Sequence, residues 1–310
     1  MDNKVIAVVG ATASGKTSLA VRIAQKYNGE IISADSMQIY KGMDIATAKA
    51  TEEEKCGIPH YLMDFLSPTE LFSVSEYVEM AKNTMNDILS RGKVPIVCGG
   101  TGLYIRSLVE NIRFSPEQAD ENLRNHLNER YEKEGGEVLL QELAEFDPEI
   151  AKTLHPSNNK RIIRAIEIYQ TTGITMSEHI RNSKNIPSPY EWTLIGITFA
   201  DRQKLYDRIN LRVDIMLEQG LLDETREFYR ENKGKTATGA IGYKELKPYL
   251  DGEMSLEQAV ENLKQVTRNY AKRQLTWFKK DTDINWIYAD KCRDIFEEAD
   301  KILSARFTKR

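Results

Sequence analysis

Cysteine is scarce in this chain. Cys56, Cys98 and Cys292 lie far apart and no CxxC pair exists, and the four histidines are dispersed as well. This pattern argues against a disulfide framework and a structural zinc site, and it fits free thiols in a reducing compartment. No apolar run approaches the roughly 20 residues that a membrane helix needs, so no membrane partner is expected. Internal repeats and low-complexity segments are absent too. No secretory architecture precedes the strand-like Lys4–Val9 stretch, so the cytoplasm is the expected location. Positive charge is not in excess: the formal net charge is −4. That excludes a simple basic coat for nucleic acid but leaves room for a local basic patch. What is present is an ordinary globular mix, 41% hydrophobic and 29% charged. Its 310 residues allow one large domain plus an insert.

Residues 4–9 read as a short buried strand, followed by a glycine-rich turn and an amphipathic helix from Lys16 to Tyr27. Further strands are expected at 30–34, from His60 to Phe65 and from Pro95 to Cys98. A helical pattern from Val74 to Arg91 precedes the last of these. Strands that alternate with helices indicate a parallel, doubly wound α/β sheet. After Phe114 the pattern changes. Residues 117–149 carry 11 Asp/Glu against 3 Lys/Arg, with apolar residues at helical spacing (Leu123, Leu127, Tyr131; Val138, Leu139, Leu143), which reads as a solvated acidic helix face. A second helical stretch runs from Asn158 to Thr171, and residues 183–189 read as a linker. Strand pattern returns from Trp192 to Phe199. Helices follow at 201–219, 221–231 and 255–280, then a strand from Ile284 to Tyr288 and a helix from Arg293 to Phe307. The expected organisation is a discontinuous α/β core, residues 1–115 plus 190–310, with an all-helical insert at 116–189.

Gly10-Ala11-Thr12-Ala13-Ser14-Gly15-Lys16-Thr17 matches the GxxxxGK(S/T) pattern between an expected strand and helix. Glycines let the backbone turn its N–H groups toward phosphate oxygens, and the helix N-terminus adds partial positive charge. Lys16 adds a full positive charge, and the Thr17 hydroxyl can ligate Mg²⁺. The motif specifies a polyphosphate. It does not distinguish ATP from any other diphosphate.

Three further segments narrow the choice. Asp35-Ser36-Met37-Gln38-Ile39-Tyr40 follows the second strand, Gly99-Gly100-Thr101-Gly102-Leu103-Tyr104 follows the fourth, and Asp207-Arg208-Ile209-Asn210-Leu211-Arg212-Val213-Asp214 lies in a late helix. With the P-loop, and with residues 42–49, Pro59-His60, His155-Pro156, Arg161, Arg164, 239–243 and 272–277, the ordered set resembles the tRNA dimethylallyltransferase (tRNA isopentenyltransferase) family. The resemblance runs from the P-loop to about Trp277. Ala46 departs from it, standing where many members carry glycine. The chain also ends without the zinc finger of eukaryotic relatives, which suggests a bacterial-type enzyme.

The resemblance implies a P-loop NTPase-like core and transfer of a dimethylallyl group from dimethylallyl diphosphate to N6 of the adenosine 3′ of the anticodon in tRNA. It makes Arg208 an added cation on the diphosphate and Thr101 a catalytic-site threonine touching the target nucleotide. Asp35, at the carboxyl end of a strand, is the candidate general base. On the residues alone it could equally be an Asx cap on the next turn. Ser36, Met37 and Gln38 share its loop, and a glutamine amide can pair with the edge of adenine.

Residues 264–280 hold six Lys/Arg and no Asp/Glu. Lys264, Arg268 and Lys272 recur every four residues and so form a stripe on one helix face, with Arg273 beside it. This is the candidate footprint for a phosphate backbone; a plain solvated face is the alternative. Val266, Tyr270 and Trp277 fall on another face and are expected in the core. Lys160, Arg161 and Arg164 form a smaller cluster in the insert, and Arg124 matches a family position near its first helix, so the insert is expected to grip the anticodon stem-loop. The remaining expectations are Mg²⁺ as cofactor and a monomer. Three rivals stay open: an adenylate isopentenyltransferase acting on free AMP, ADP or ATP, a small-molecule P-loop kinase, and a non-catalytic RNA-binding P-loop protein.

Overall fold

The computed structural model describes residues 3–114, 120–184, 186–230 and 237–307. Pro116 at the expected start of the insert, Asn185 in the expected linker and Glu231 at one expected helix end lie outside them. The chain divides into two compact units, Met1–Val109 with Pro189–Arg310, and Glu110–Ser188.

The first unit is built on six parallel strands: β1 (Lys4–Gly10), β2 (Gly29–Ser33), β3 (His60–Tyr61), β4 (Val94–Gly99), β5 (Glu191–Thr198) and β6 (Asn285–Tyr288). Their order is β3-β2-β4-β1-β5-β6. In β1, Val5 to Val9 are wholly buried. A continuous apolar run of this kind is what a strand covered on both faces requires. Ile6 pairs with Ile96 of β4 on one side and with Thr193 of β5 on the other. Connections from β1 and from β4 leave in opposite directions, so a crevice opens at the carboxyl ends of the central strands.

The helices of this unit are α1 (Lys16–Tyr27), α2 (Glu52–Lys55), α3 (Val74–Ser90) and α4 (Gly102–Val109), followed after the second unit by α10 (Arg202–Glu218), α11 (Leu221–Arg230), α12 (Tyr243–Leu250), α13 (Leu256–Phe278) and α14 (Ile295–Ser304). One core joins the sheet to α1 and α14 through Ile6, Leu19, Ile23, Ile195 and Leu303. Arg22 and Lys26 pin α14 to α1 by ion pairs with Asp294 and Asp300 at 2.7 and 2.6 Å. A second core, with Ile39, Tyr40 and Met43 packed among Val213, Phe228, Tyr243 and Leu263, seats the loop after β2 against α10 to α13.

The second unit holds α5 (Glu121–Glu134), α6 (Gly136–Phe146), α7 (Pro148–Ala151), α8 (Asn159–Thr172) and α9 (Met176–Lys184) around Leu127, Leu139, Leu143, Ile162 and Ile166. Glu121, Glu129, Glu132 and Glu137 are exposed, as a solvated acidic face requires. Val138 is exposed as well and does not join Leu139 in the core. Asp147 is buried; it accepts from the Ile150 and Ser177 amides at 3.2 and 2.9 Å and so ties α9 to the start of α7.

Besides the short helices α2 and α4, which were not expected, three elements differ from the expectations. The strand from His60 stops after Tyr61, because Leu62 and Asp64 take φ of 59° and 55°, which ends extended pairing. Helix α12 was not expected; Pro248 inside it interrupts the helical pattern. Helix α9 runs through Lys184, into residues read as linker.

Candidate active site

The P-loop turns from β1 into α1. Gly10 and Gly15 take φ of 148° and 98°, and a Cβ on Gly10 would lie 2.6 Å from the Ile197 carbonyl oxygen. A side chain there would collide with the neighbouring strand. Lys16 opens α1, and its Nζ donates to the Ala11 carbonyl at 2.6 Å. Burial lowers the Lys16 pKa to about 8, with Cys98 and Asp35 opposing and Arg212 assisting the shift. Thr17 is exposed at the helix start. Ser14 is 2% exposed, and its Oγ has no partner among the described residues. It is a buried hydroxyl held inside the turn that would cradle phosphate.

The loop after β2 lies against the loop after β4. The Thr101 amide donates to the Ala34 carbonyl at 3.1 Å, and Thr101 Oγ1 accepts from the Ser36 amide at 3.0 Å. A Cβ on Gly99 would sit 2.2 Å from the Ala34 carbonyl oxygen, so glycine is what permits the approach. Asp35 Oδ1 accepts from the Met37 amide at 2.9 Å, forming the Asx turn, while the residue also lines the neighbouring cavity. Cap and cavity carboxylate therefore coexist in Asp35. The Gln38 amide is engaged at both ends: Oε1 accepts from Ser33 Oγ at 2.9 Å and Nε2 donates to the Thr47 carbonyl at 3.1 Å. This makes Gln38 a brace for the loop, and the residue also lines the cavity beside Asp35.

Arg208 reaches the P-loop from α10, where its Nε donates to the Ala13 carbonyl at 2.9 Å. Arg212 follows one turn later on the same face. Two cavities meet beside it. One, of about 350 Å³, is lined by Asp35, Ser36, Gly99, Gly100, Tyr270 and Arg273. The other, of about 540 Å³, is lined by Ser14, Gly15, Arg208 and the exposed Leu211 and Ile215. Lys16, Thr17, Ala48, Arg212 and Met216 line both. Sequence reasoning gave Arg212 and Met216 no role, although their spacing of four and eight residues from Arg208 put them on its face.

Gln274 was missed as well. Its Oε1 accepts from the Thr12 amide at 2.8 Å and its Nε2 donates to the Gly100 carbonyl at 3.0 Å, joining the P-loop to the loop after β4. A Cβ on Gly100 would lie 2.1 Å from that Nε2, and one on Gly102 would lie 2.2 Å from Trp277 Cδ1. Gly100 and Gly102 thus make room for α13, as Gly99 does for the loop after β2.

Helix α13 does not present the basic stripe as free charge. Lys264 pairs with Asp214 at 2.6 Å, and Arg268 binds Asn210 at 2.7 Å and Glu261 at 3.0 Å. Lys272 is exposed, and Arg273 lies over the Tyr270 ring at 5.6 Å. Val266 and Tyr270, expected in the core, line the first cavity, because the face of α13 turned toward the sheet passes over the crevice. In the second unit, Arg124 and Arg164 converge on the buried Glu167 at 2.8 and 2.9 Å, while Lys160 and Arg161 are exposed. Among the described residues, no group of three or more His, Cys, Asp or Glu could hold a metal ion, and no helix is long and apolar enough to cross a membrane.

A P-loop sequence at the head of a parallel sheet, with two cavities meeting at its lysine, defines an α/β enzyme of the P-loop NTPase-like fold. A family model described as IPP transferase matches residues 38–281. The tRNA dimethylallyltransferase of Acetivibrio thermocellus is 51% identical over 305 residues, 98% of this chain and 96% of the relative. That of Bacillus subtilis is 48% identical over 283 residues, 91% and 90% of the two chains. Among solved structures, the full-length tRNA isopentenylpyrophosphate transferase of Bacillus halodurans superposes with a TM-score of 0.74 at 41% identity, covering 99% of this chain and 97% of that one. A eukaryotic dimethylallyltransferase acting on tRNA gives a TM-score of 0.82 at 33% identity, covering 98% and 77%. The chain belongs to the IPP transferase family.

Proposed function

We propose that this protein transfers a dimethylallyl group from dimethylallyl diphosphate to N6 of the adenosine 3′ of the anticodon in tRNA, releasing diphosphate. The observation that carries this reading is the meeting of two cavities at Lys16, Thr17 and Arg212. The cavity with Ser14, Gly15 and Arg208 suits the diphosphate, and the cavity with Asp35 suits a base.

The exocyclic amine of adenosine is a poor nucleophile, and the allylic carbon compensates by tolerating positive charge. Transfer then depends on holding the leaving group, aligning the partners and removing one proton. The P-loop amides, Lys16, Arg208 and Arg212 neutralise charge as the C1–O bond breaks. Asp35 takes the proton from N6 as the C–N bond forms. Thr101 holds Ser36, and so the Asp35 loop, in place. The residues fit Mg²⁺: Thr17 offers one exposed hydroxyl at the start of α1, which suits an ion held otherwise by diphosphate oxygens and water. Thr17 would hold it, and the ion would add charge neutralisation on the leaving diphosphate.

The target adenosine has to leave the stack of the anticodon loop to enter the Asp35 cavity. Lys272 and Arg273 on α13, and Lys160, Arg161, Arg164 and Arg124 in the second unit, are the cations we assign to the tRNA backbone. The protein acts as a monomer in the cytoplasm.

Nucleoside mass spectrometry tests the reading: unmodified tRNA is incubated with the protein, Mg²⁺ and dimethylallyl diphosphate, with free AMP and with ATP as separate controls. Prenylated adenosine in tRNA, formed without ATP, supports it. Prenylated AMP beside unmodified tRNA would instead make this a free-nucleotide enzyme, and ATP consumption without prenylation a kinase.

A further inference from the structure

The segment from Asp44 to Lys49 walls both cavities: Ala46, Thr47 and Ala48 face the one that holds Asp35, and Asp44, Ile45, Ala48 and Lys49 face the one that holds Arg208. It belongs to no helix or strand. Its backbone groups therefore have to be satisfied by something else.

Glu224 of α11 supplies the partner for three of them. Its Oε2 accepts from the amides of Asp44 at 3.0 Å and Ile45 at 2.8 Å, and its Oε1 accepts from the Ala46 amide at 2.9 Å. The Tyr243 hydroxyl donates to the same Oε1 at 2.8 Å and aims the carboxylate. Tyr243 is itself fully buried and stacked on Phe228 with ring centres 4.2 Å apart. Gln38 Nε2 holds the carbonyls of Thr47 and Ala48, and Lys49 Nζ holds the Tyr40 carbonyl at 2.7 Å. The wall is thus clamped between one carboxylate that takes its N–H groups and one amide that takes its C=O groups. Three amide donors on one ionised carboxylate make charge-assisted bonds, which are stronger than neutral ones.

We infer that Glu224 is a positioning residue for prenyl transfer, fixing through the amides of Asp44, Ile45 and Ala46 the wall that sets the approach of the donor carbon to the acceptor nitrogen. This role rests on the function proposed above. Glu224 lines neither cavity. Its effect falls on alignment, where a displacement of about 1 Å can lower turnover by two orders of magnitude.

The test combines steady-state kinetics with amide hydrogen exchange on the full chain, for the wild type, Glu224→Gln and Glu224→Ala, each assayed well below its own unfolding temperature. Glu224→Gln is expected to lower kcat about tenfold or more while both KM values stay within about threefold, because alignment and not binding is lost. Exchange at Asp44, Ile45 and Ala46 is expected to accelerate, and acetate in the assay, by filling the carboxylate's place, is expected to restore part of the kcat of Glu224→Ala. Three results would overturn the role: a Glu224→Gln kcat within about threefold of wild type, a fall in kcat without faster exchange at those amides, or losses in both variants that track the unfolded fraction seen by circular dichroism. A wild type that forms no prenylated adenosine overturns the functional reading itself, whereas a prenylating wild type beside an unimpaired Glu224→Gln overturns only this role.

Discussion

The Thr12 amide donates to Gln274 Oε1 at 2.8 Å across 262 positions of sequence, so a residue of the last long helix helps to shape the P-loop. The same side chain closes on Gly100 from its other end. Replacing Gln274 with alanine strands a half-buried amide and a buried carbonyl. It is expected to lower stability by about 1–3 kcal/mol and to weaken use of dimethylallyl diphosphate, since the amides of residues 12–17 lose a support. Urea unfolding and donor KM check both parts. An unchanged donor KM would show that the P-loop keeps its shape without Gln274.

Asp35→Asn separates the two functions that Asp35 combines. An asparagine Oδ1 can still accept from the Met37 amide, so the Asx turn survives while the proton acceptor is lost. Turnover is expected to fall about 10²- to 10⁴-fold with tRNA affinity retained. A variant within about tenfold of wild type would leave Asp35 as a turn residue only. Single-turnover rates and filter binding provide the comparison.

Lys16 makes the reaction sensitive to alkaline pH. Burial lowers its pKa from the ordinary lysine value of 10.5 to about 8, so it is charged at neutral pH and loses its proton as pH rises past 8. The donor kcat/KM is expected to decline through that range, and Lys16→Ala to remove both the activity and this limb of the profile. Stability moves in the opposite direction. Between about 8 and 10.5 the unfolded chain binds the proton and the folded chain does not, so the contribution of Lys16 to stability rises with pH in that window. Below it both states are protonated, and the full penalty of burying the charge applies.

The P-loop sequence, the alternation of strands and helices and the loops after β2 and β4 were legible because each rests on local chemistry. A buried strand needs an apolar run, a phosphate turn needs its glycines, and Asp35 and Thr101 follow strands whose ends face the crevice. The bracing residues were not legible. Gln274 bonds to Thr12 and Gly100, and Gln38 to Thr47, through pairings that only the folded topology creates. Arg212 looked like any helix arginine until the meeting of two cavities gave it a place. The partners of the basic stripe were hidden in part for the same reason: Asp214 and Asn210 of α10 come from elsewhere to meet Lys264 and Arg268, whereas Glu261 lies two turns earlier on α13 itself.

Those pairings order the cations of α13 by their expected contribution to tRNA binding. Lys272 is exposed, whereas Arg268 already shares its charge with Glu261. Lys272→Ala is expected to reduce the slope of log K against log salt by about 0.7–0.9, one phosphate contact. Arg268→Ala is expected to change it less. Binding of an anticodon stem-loop measured at several salt concentrations gives both slopes, and equal changes would mean that Arg268 leaves Glu261 when RNA binds.

At the amino-terminal edge of the sheet, far from this chemistry, Glu30 predicts how the fold responds to acid. Its side chain is 2% exposed, and Arg91 grips both carboxylate oxygens at 2.7 and 2.6 Å, with Lys93 at 2.6 Å and Tyr61 at 2.9 Å. The Arg91 guanidinium above all, then Lys93 and Tyr61, hold the Glu30 pKa at about 2 against an ordinary 4.5, with burial opposing them. Because the folded value is the lower one, the stabilisation is complete above about 4.5 and is lost as pH falls toward 2. Arg91→Ala removes the main partner and leaves a buried charge on Lys93 and Tyr61 alone, so it is expected to lower stability at neutral pH by about 1–3 kcal/mol. It should also flatten the acid dependence, because the folded pKa moves back toward the unfolded one. Denaturant unfolding at neutral pH and at pH near 3 measures both effects. A variant as stable as wild type at neutral pH, with an unchanged acid slope, would show that Lys93 and Tyr61 suffice to hold the carboxylate.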